Sequence, residues 1–349
     1  MSTGEGGRAT VEGVDVPTDH YIDGRRVGAS ERFSVRSPID WDGWELARVA
    51  AGGPGEVDQA VAAARRAFPA WAALGPDGRR EILLRLAAEI DAAVPELAAV
   101  EAVDNGSLHA AMRDRVLPRG ANNVRFFADF AVERLAESPR TLPGGERNSV
   151  RHDPAGVVAV STPWNAPFML ATWRVGPALA AGNTVVLKPP EWAPLTCSML
   201  GDLAARAELP PGVLNVVHGT GAQAGAPLTG HPGVDRVAFT GSPATARTVY
   251  RDAAAQLTPV SFELGGKSPF LVFADCDLDA AATTAAYQYD NSGQVCLAGT
   301  RLLVEAPVLA PFLERFGARV AEIVVGDPRL PDTAYGPLIH PVALERVRT

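Results

Sequence analysis

Between Gly156 and Glu263 the chain alternates short apolar runs with longer helical stretches, and that alternation restricts the fold more than any other feature. The runs are Val157–Val160, Thr184–Leu187, Val213–Val217, Arg236–Phe239 and Val260–Glu263, and valine recurs in every one. Phe168–Ala181, Leu195–Ala207, Ala222–Leu228 and Ala244–Gln256 lie between them and carry apolar residues at helical spacing. Parallel strands need crossover connections, and helices are the usual ones. The expected fold is therefore α/β, with a Rossmann-like parallel sheet covered by helices. Ligands of such sheets bind beyond the carboxyl ends of the strands.

The flanking text is less regular. Tyr21-Ile22-Asp23-Gly24-Arg25 reads as a strand and a tight turn, and Val57–Leu74, Arg79–Ala93 and Pro95–Val103 read as helices. Leu108–Ala136 is expected to be a long helical stretch interrupted at Pro118-Arg119-Gly120, with Phe126, Phe127 and Phe130 packed in the core. Turn residues Pro139 and Pro143-Gly144-Gly145 predict a projecting hairpin over Ser138–Pro154. A second α/β unit begins near Pro269 with the run Phe270–Phe273 and continues to Thr349. The expected division is a disordered lead-in over 1–18, a cofactor domain over 19–137 and 156–264, a hairpin over 138–155, and a further α/β domain over 265–349.

Composition excludes several function classes. The 349 residues are 47% hydrophobic with a formal net charge of −8 and no Lys/Arg block, which argues against a nucleic-acid partner. The most apolar stretch, Ala166–Leu187, is broken by Arg174, Gly176-Pro177 and Gly182-Asn183, so no membrane span is expected. Cys197, Cys276 and Cys296 form neither a paired framework nor a metal-ligand spacing. No metal is expected, and the odd count fits a reducing, cytoplasmic setting. Cys197 lies among apolar residues and reads as core. Cys276 sits between Asp275 and Asp277, where like charge opposes a thiolate.

Cys296 and Glu263 are the candidates for chemistry. A thiol attacks a carbonyl carbon, and a carboxylate activates the water that releases the resulting thioester. An ordinary thiol, with a pKa of about 8.5, is only slightly ionised at neutral pH. Backbone N–H groups at a helix start would raise that fraction. A lone cysteine is more often a buried, inert residue, and a lone glutamate at a strand tip is more often a solvated charge. Asn165, after Thr162-Pro163-Trp164, offers an N–H donor for an oxyanion, although an ordinary helix cap fits the position too. Lys188-Pro189-Pro190-Glu191 ends a strand, where a carboxylate accepts hydrogen bonds from a ribose diol. Gly219-Thr220-Gly221 and Phe239-Thr240-Gly241-Ser242 stand at strand-to-helix junctions suited to a pyrophosphate. The usual Gly-x-Gly-x-x-Gly fingerprint is absent.

The segments Phe262-Glu263-Leu264-Gly265-Gly266-Lys267-Ser268-Pro269 and Gly293-Gln294-Val295-Cys296 resemble the two signature segments of the NAD(P)-dependent aldehyde dehydrogenases. Pro163-Trp164-Asn165, Val103-Asp104-Asn105-Gly106 and Gly336-Pro337-Leu338-Ile339 are similar to further landmarks of that family. The likeness runs from Tyr21 to the end. Within the family, Asn165-Ala166-Pro167-Phe168-Met169 and Leu338-Ile339-His340-Pro341 look most like the carboxymethyl-hydroxymuconate semialdehyde type, whereas the segment at Cys296 looks more like generic or betaine-aldehyde members, which leaves the substrate open.

The resemblance implies that Cys296 is the nucleophile, Glu263 the general base, and Asn165 with the Cys296 N–H the oxyanion donors. It implies a cofactor site at Thr162, Pro163, Trp164, Lys188, Glu191, Gly221, Phe239, Thr240, Gly241, Ser242 and Leu264. NAD is expected over NADP, because Glu191 would repel a 2′-phosphate. A small-molecule aldehyde is the expected substrate, and a homodimer or homotetramer joined through the hairpin arm the expected assembly. Ala246 departs from the glycine many members carry there. Family members also continue beyond the equivalent of Thr349, so the catalytic domain is expected to be incomplete here. That leaves a second expectation: a catalytically impaired member that only binds nucleotide or serves structurally.

Overall fold

A computed structural model describes residues 7–135, 138–288 and 291–349. The strands are β1 (Arg8–Val11), β2 (Val14–Pro17), β3 (His20–Ile22), β4 (Arg25–Val27), β5 (Arg32–Arg36), β6 (Glu45–Ala50), β7 (Ser138–Thr141) and β8 (Arg147–Val150). They continue as β9 (Val157–Ser161), β10 (Thr184–Lys188), β11 (Leu214–Val216), β12 (Arg236–Gly241), β13 (Val260–Leu264), β14 (Pro269–Val272) and β15 (Arg301–Val304). The helices are α1 (Pro54–Ala73), α2 (Gly75–Ala92), α3 (Val94–Asn105), the short α4 (His109–Ala111), α5 (Leu117–Arg134) and α6 (Pro167–Ala180). After them come α7 (Leu195–Arg206), the short α8 (Ala226–Thr229), α9 (Pro243–Ala254), α10 (Leu278–Tyr287), α11 (Leu309–Ala321) and α12 (Pro341–Arg348).

Five of the strands expected from the valine-bearing runs form the parallel part of a seven-stranded sheet of order β13-β12-β9-β10-β11-β3-β4. Its register decides where the chemistry lies. Lys188 pairs with Ser161, Ser161 with Phe239, and Thr240 with Glu263, so the carboxyl ends of four adjacent strands stand level. The residues that follow those ends, in the loops, therefore share one crevice edge.

Alternation along each strand divides the core. Val158, Val160, Val185 and Leu187 face a cluster built with α2, α3, α5, α6 and α7, whereas Val157, Ala159, Val186 and Val237 face α1 and α9. Because both faces are covered, the strands read as nearly continuous apolar runs. Leu187 and Phe168 are fully buried. Truncating either to alanine would cost about 2–5 kcal/mol through lost burial and an unfilled cavity. Trp71 is also buried, and its ring N–H donates to Leu179 O at 3.1 Å, so its one polar atom is satisfied.

Three expectations need correction. Residues 7–18 are not a disordered lead-in: β1 and β2 pair as a hairpin around Glu12-Gly13, with φ of 49° and 79°. Two positive φ values make the tight turn whose twist suits a hairpin. Val11 and Val16 are then buried against the main cluster. Residues 1–6 lie outside the described residues. Phe126 and Phe130 are exposed, not core, because α5 buries its Ala121, Val124, Ala128 and Ala131 face instead. Their rings stack on each other at 5.9 Å, one helical turn apart. Pro118 opens α5 where it was expected to interrupt a longer helix, and the preceding residues 112–116 form a widened π turn.

Residues 138–150 form the expected hairpin, β7 with β8. Beyond Pro269, β14 and β15 pair in parallel and α10 and α11 cover one face, with Phe312 buried between them. The Ala246 methyl is buried in the α9 face of the sheet, where it packs as core. Among the described residues no helix is long and apolar enough to cross a membrane, and no cluster of metal-ligating side chains occurs.

Candidate functional site

At the end of β10, Lys188 is buried and its Nζ lies 2.9 Å from Glu191 Oε2. Burial alone would raise the Glu191 carboxyl. The Lys188 charge and hydrogen bond, with backbone N–H groups of Glu191 and Gly221, outweigh it and hold the carboxyl below its ordinary value. Lys188, Glu191 and Gly221 are thus one unit, a carboxylate fixed in its ionised form. Ser242 caps α9, its Oγ accepting from the Thr245 N–H at 3.1 Å. Thr220 does the same for Gln223 at 3.2 Å. Two capped helical starts therefore border the crevice beside an anchored carboxylate. The Phe239 ring is buried against Phe262.

The Thr162–Asn165 loop follows β9. Its position is set from below by the end of α3. Asn105 Nδ2 lies 3.4 Å from the carbonyl oxygens of both Trp164 and Asn165. Asp104 Oδ2 accepts from the Leu195 N–H at 2.9 Å, and Glu101 Oε2 accepts from Thr196 Oγ1 at 2.7 Å. Glu101 and Asp104 are fully buried. Burial, then the nearby Glu101 and Asp104, pushes the Cys197 thiol well above its usual range, which makes it inert as a nucleophile.

Burial likewise raises Glu101 from 4.5 to about 7, opposed by bonds from Thr196 and the Phe168 N–H. For an acid with a raised folded pKa, stability is fully present below the unfolded value and is lost as pH climbs through the folded one. The window is pH 4.5 to about 7. Glu101→Gln, which keeps the Thr196 bond and cannot ionise, should remove that loss. Urea titrations at pH 5 and 8 should show the variant gaining on the parent with pH by on the order of 2–3 kcal/mol. An identical pH dependence in both proteins would show that Glu101 is not the group responsible.

Cys296 is exposed, at the end of a loop with an unusual backbone. Asn291, Ser292 and Gly293 have successive φ values of 54°, 57° and 75°. Two non-glycine residues in the left-handed region cost free energy unless neighbours fix them. Here they are fixed. Ser107 Oγ donates to Asn291 Oδ1 at 3.0 Å, Asn291 Nδ2 donates to Asn165 O at 2.9 Å, and Ser292 Oγ donates to Gly336 O at 2.6 Å. Asn165 Nδ2 donates to Gln294 O at 2.8 Å. An amide NH₂ has two hydrogens, so this bond orients the group while its second N–H stays available. The structure thereby brings Asn165 and the Cys296 loop together.

Glu263, at the tip of the edge strand β13, is largely exposed. Its ionic neighbour is Arg174 of α6, with a nitrogen–oxygen distance of 3.9 Å. Arg174 also donates to Thr240 Oγ1 at 3.2 Å. Among the described residues no hydrogen bond joins Glu263 to the Cys296 loop. Sequence reasoning treated Arg174 only as a break in an apolar stretch. Asn105 and Gln294 were legible only as members of family-like segments, and neither their amides nor that of Asn291 was given the role of holding the loops. A polar residue inside an otherwise apolar helix was the available signal for Arg174.

The sequence profile of the aldehyde dehydrogenase family matches residues 26–349. The chain is 42% identical over 335 residues to 2-hydroxymuconic semialdehyde dehydrogenase of Pseudomonas sp. strain CF600, covering 94% of this chain and 69% of that protein. It is 41% identical over 332 residues to 5-carboxymethyl-2-hydroxymuconate semialdehyde dehydrogenase of Escherichia coli, covering 94% and 69%. The crystal structure of PnpE from Pseudomonas sp. WBC-3 superposes with a TM-score of 0.90 at 41% identity, covering 95% of this chain and 68% of that one. PnpE in complex with nicotinamide adenine dinucleotide gives 0.91 at the same identity and coverage. With sequence and fold agreeing over nearly its whole length, the chain belongs to the aldehyde dehydrogenase family.

Proposed function

We propose that the protein oxidises an aldehyde to a carboxylic acid with NAD, through a thioester on Cys296. The observation that carries the reading is the bond from Asn165 to Gln294, which sets an amide donor against the loop bearing an exposed thiol. The names of the relatives point to a semialdehyde that carries a carboxylate.

The residues present fit the cofactor. Lys188, Glu191 and Gly221 offer a fixed carboxylate to a ribose diol. The Gly241-Ser242 start of α9 suits a phosphate. When bound, NAD supplies the hydride acceptor for the oxidation.

The protein's own residues carry the rest. The Cys296 sulfur bonds to the aldehyde carbon, and the carbonyl oxygen takes the negative charge. Asn165 Nδ2 and the Cys296 N–H stabilise that oxygen, an effect worth about 10²–10³ in turnover per donor. After oxidation the acyl group remains on sulfur. Glu263 removes a proton from water, the new C–O bond forms, the C–S bond breaks, and the thiolate leaves. Arg174 lies beside Glu263, 3.9 Å from its carboxylate. The test is NADH formation with a carboxylate-bearing semialdehyde and with a neutral aldehyde of equal length. Turnover of both, faster with the first, is expected, whereas turnover of neither would defeat the reading.

The cofactor choice has its own test. The Glu191 carboxylate meets the 2′-phosphate of NADP with like charge, so NAD should bind better, and Glu191→Gln should narrow the gap about tenfold. Dissociation constants of both dinucleotides check this. A parent protein that prefers NADP would show that Lys188 outweighs Glu191.

A further inference from the structure

Four aromatic rings run in a column from the surface toward the Asn165 loop. His340 stacks on Trp192 with centroids 4.4 Å apart and planes at 17°. The same ring makes an edge-type contact with Trp41, with centroids 4.3 Å apart and planes at 67°. Trp192 in turn lies 6.0 Å from Trp164, which immediately precedes Asn165. The four residues come from four separate segments, and all are half-buried.

The same segment that carries His340 also grips the other loop. The Ile339 N–H donates to Gln294 Oε1 at 3.0 Å, and Gly336 O accepts from Ser292 Oγ at 2.6 Å. Ile339 is fully buried, so the strip cannot slide without exposing an apolar side chain. His340 also begins α12, its Nδ1 accepting from the Val342 N–H at 3.0 Å. Residues 336–340 therefore hold the left-handed turn before Cys296 with one hand and the Trp164–Asn165 loop with the other.

We propose that His340 is a positioning residue, the keystone of a clasp over residues 336–340 that aligns the Cys296 loop with the Asn165 amide. It touches no reacting atom. Its ring sets Trp192 and Trp164, while its backbone neighbour sets Gln294, whose carbonyl in turn orients Asn165. The two halves of the oxyanion site come from segments more than a hundred residues apart, and the clasp is a bridge between them. The inference rests on the proposed roles of Cys296 and Asn165. A misplacement of about 1 Å in such an arrangement can cost on the order of 10² in rate.

The test uses His340→Ala and His340→Phe, the second keeping a flat ring on Trp192 while losing the bond to Val342. Hydrogen exchange read by mass spectrometry reports on peptides spanning 291–298 and on β10 as a reference. Exchange over 291–298 should quicken about tenfold in His340→Ala and return toward the parent rate in His340→Phe, with β10 unchanged in both. Turnover at saturating aldehyde and NAD should fall about tenfold in His340→Ala with the KM for NAD unaltered, and His340→Phe should restore it. The proposal is overturned by parent-like exchange over 291–298 in His340→Ala, by loosening of β10 as well, or by a loss confined to the KM for NAD. It is equally overturned if His340→Phe is as impaired as His340→Ala, since the helix cap and not the ring column would then matter. Failure of the underlying reading shows separately: activity surviving in Cys296→Ala removes the nucleophile, while the exchange measurement still judges the clasp.

Discussion

Replacing Cys296 with alanine abolishes aldehyde-dependent NADH formation and leaves NAD binding intact. Removing a nucleophile that forms the covalent intermediate costs on the order of 10⁶ in turnover where the chemistry depends on it. No other thiol substitutes. Cys197 is buried among carboxyls that disfavour its thiolate, and Cys276 lies at the start of the second α/β unit between two aspartates. The adenosine half of the cofactor is held by Lys188, Glu191 and the α9 start in this account, none of which touches residue 296. Steady-state assay with a parallel NAD titration separates the two effects. NADH production near the parent rate would remove Cys296 from the mechanism, and lost NAD binding would mean that the variant disturbs more than the thiol.

Glu263→Gln is expected to lower steady-state turnover by roughly 10²- to 10⁴-fold, the usual worth of a positioned base. A carboxamide has nearly the same shape as the carboxylate, yet it takes no proton from water. The first turnover should persist, because attack by Cys296 and oxidation do not need Glu263. Rapid mixing therefore should show a burst of NADH equal to the enzyme present, followed by the slowed rate. A burst lost in proportion to the steady rate would place Glu263 before the thioester and not after it.

The parts of this fold that were legible in the sequence are the ones with a local cause. Strands such as Val157–Ser161 and Thr184–Lys188 are buried on both faces, so their valines announce them regardless of what packs nearby. The level register that brings Lys188, Ser161, Thr240 and Glu263 to one edge follows once those strands are parallel. Other features depended on partners far along the chain. Glu12-Gly13 is a weak turn signal, and the hairpin it closes is held because Val11 and Val16 find the main core. Phe126 and Phe130 follow helical spacing as well as Val124 and Ala128 do, and only the positions of α2 and α6 decide which face is covered. Lys188 and Glu191 were readable as a ribose site, but their pairing with each other and with Gly221 was not. Gln294 looked like part of a signature, whereas its contacts with Asn165 and Ile339 join three distant segments. Candidate chemistry was visible residue by residue; the amide network that aligns it was not.

The central claim is that an acyl group passes through Cys296 and is released by water that Glu263 activates. Peptide mass spectrometry of Glu263→Gln, quenched in acid after exposure to aldehyde and NAD, tests it most directly. The account predicts that the peptide bearing Cys296 gains the mass of the acyl group, while peptides bearing Cys197 and Cys276 keep their native masses. An unmodified Cys296 in a variant that has released a full equivalent of NADH, or an adduct on Cys276 in its place, would contradict it.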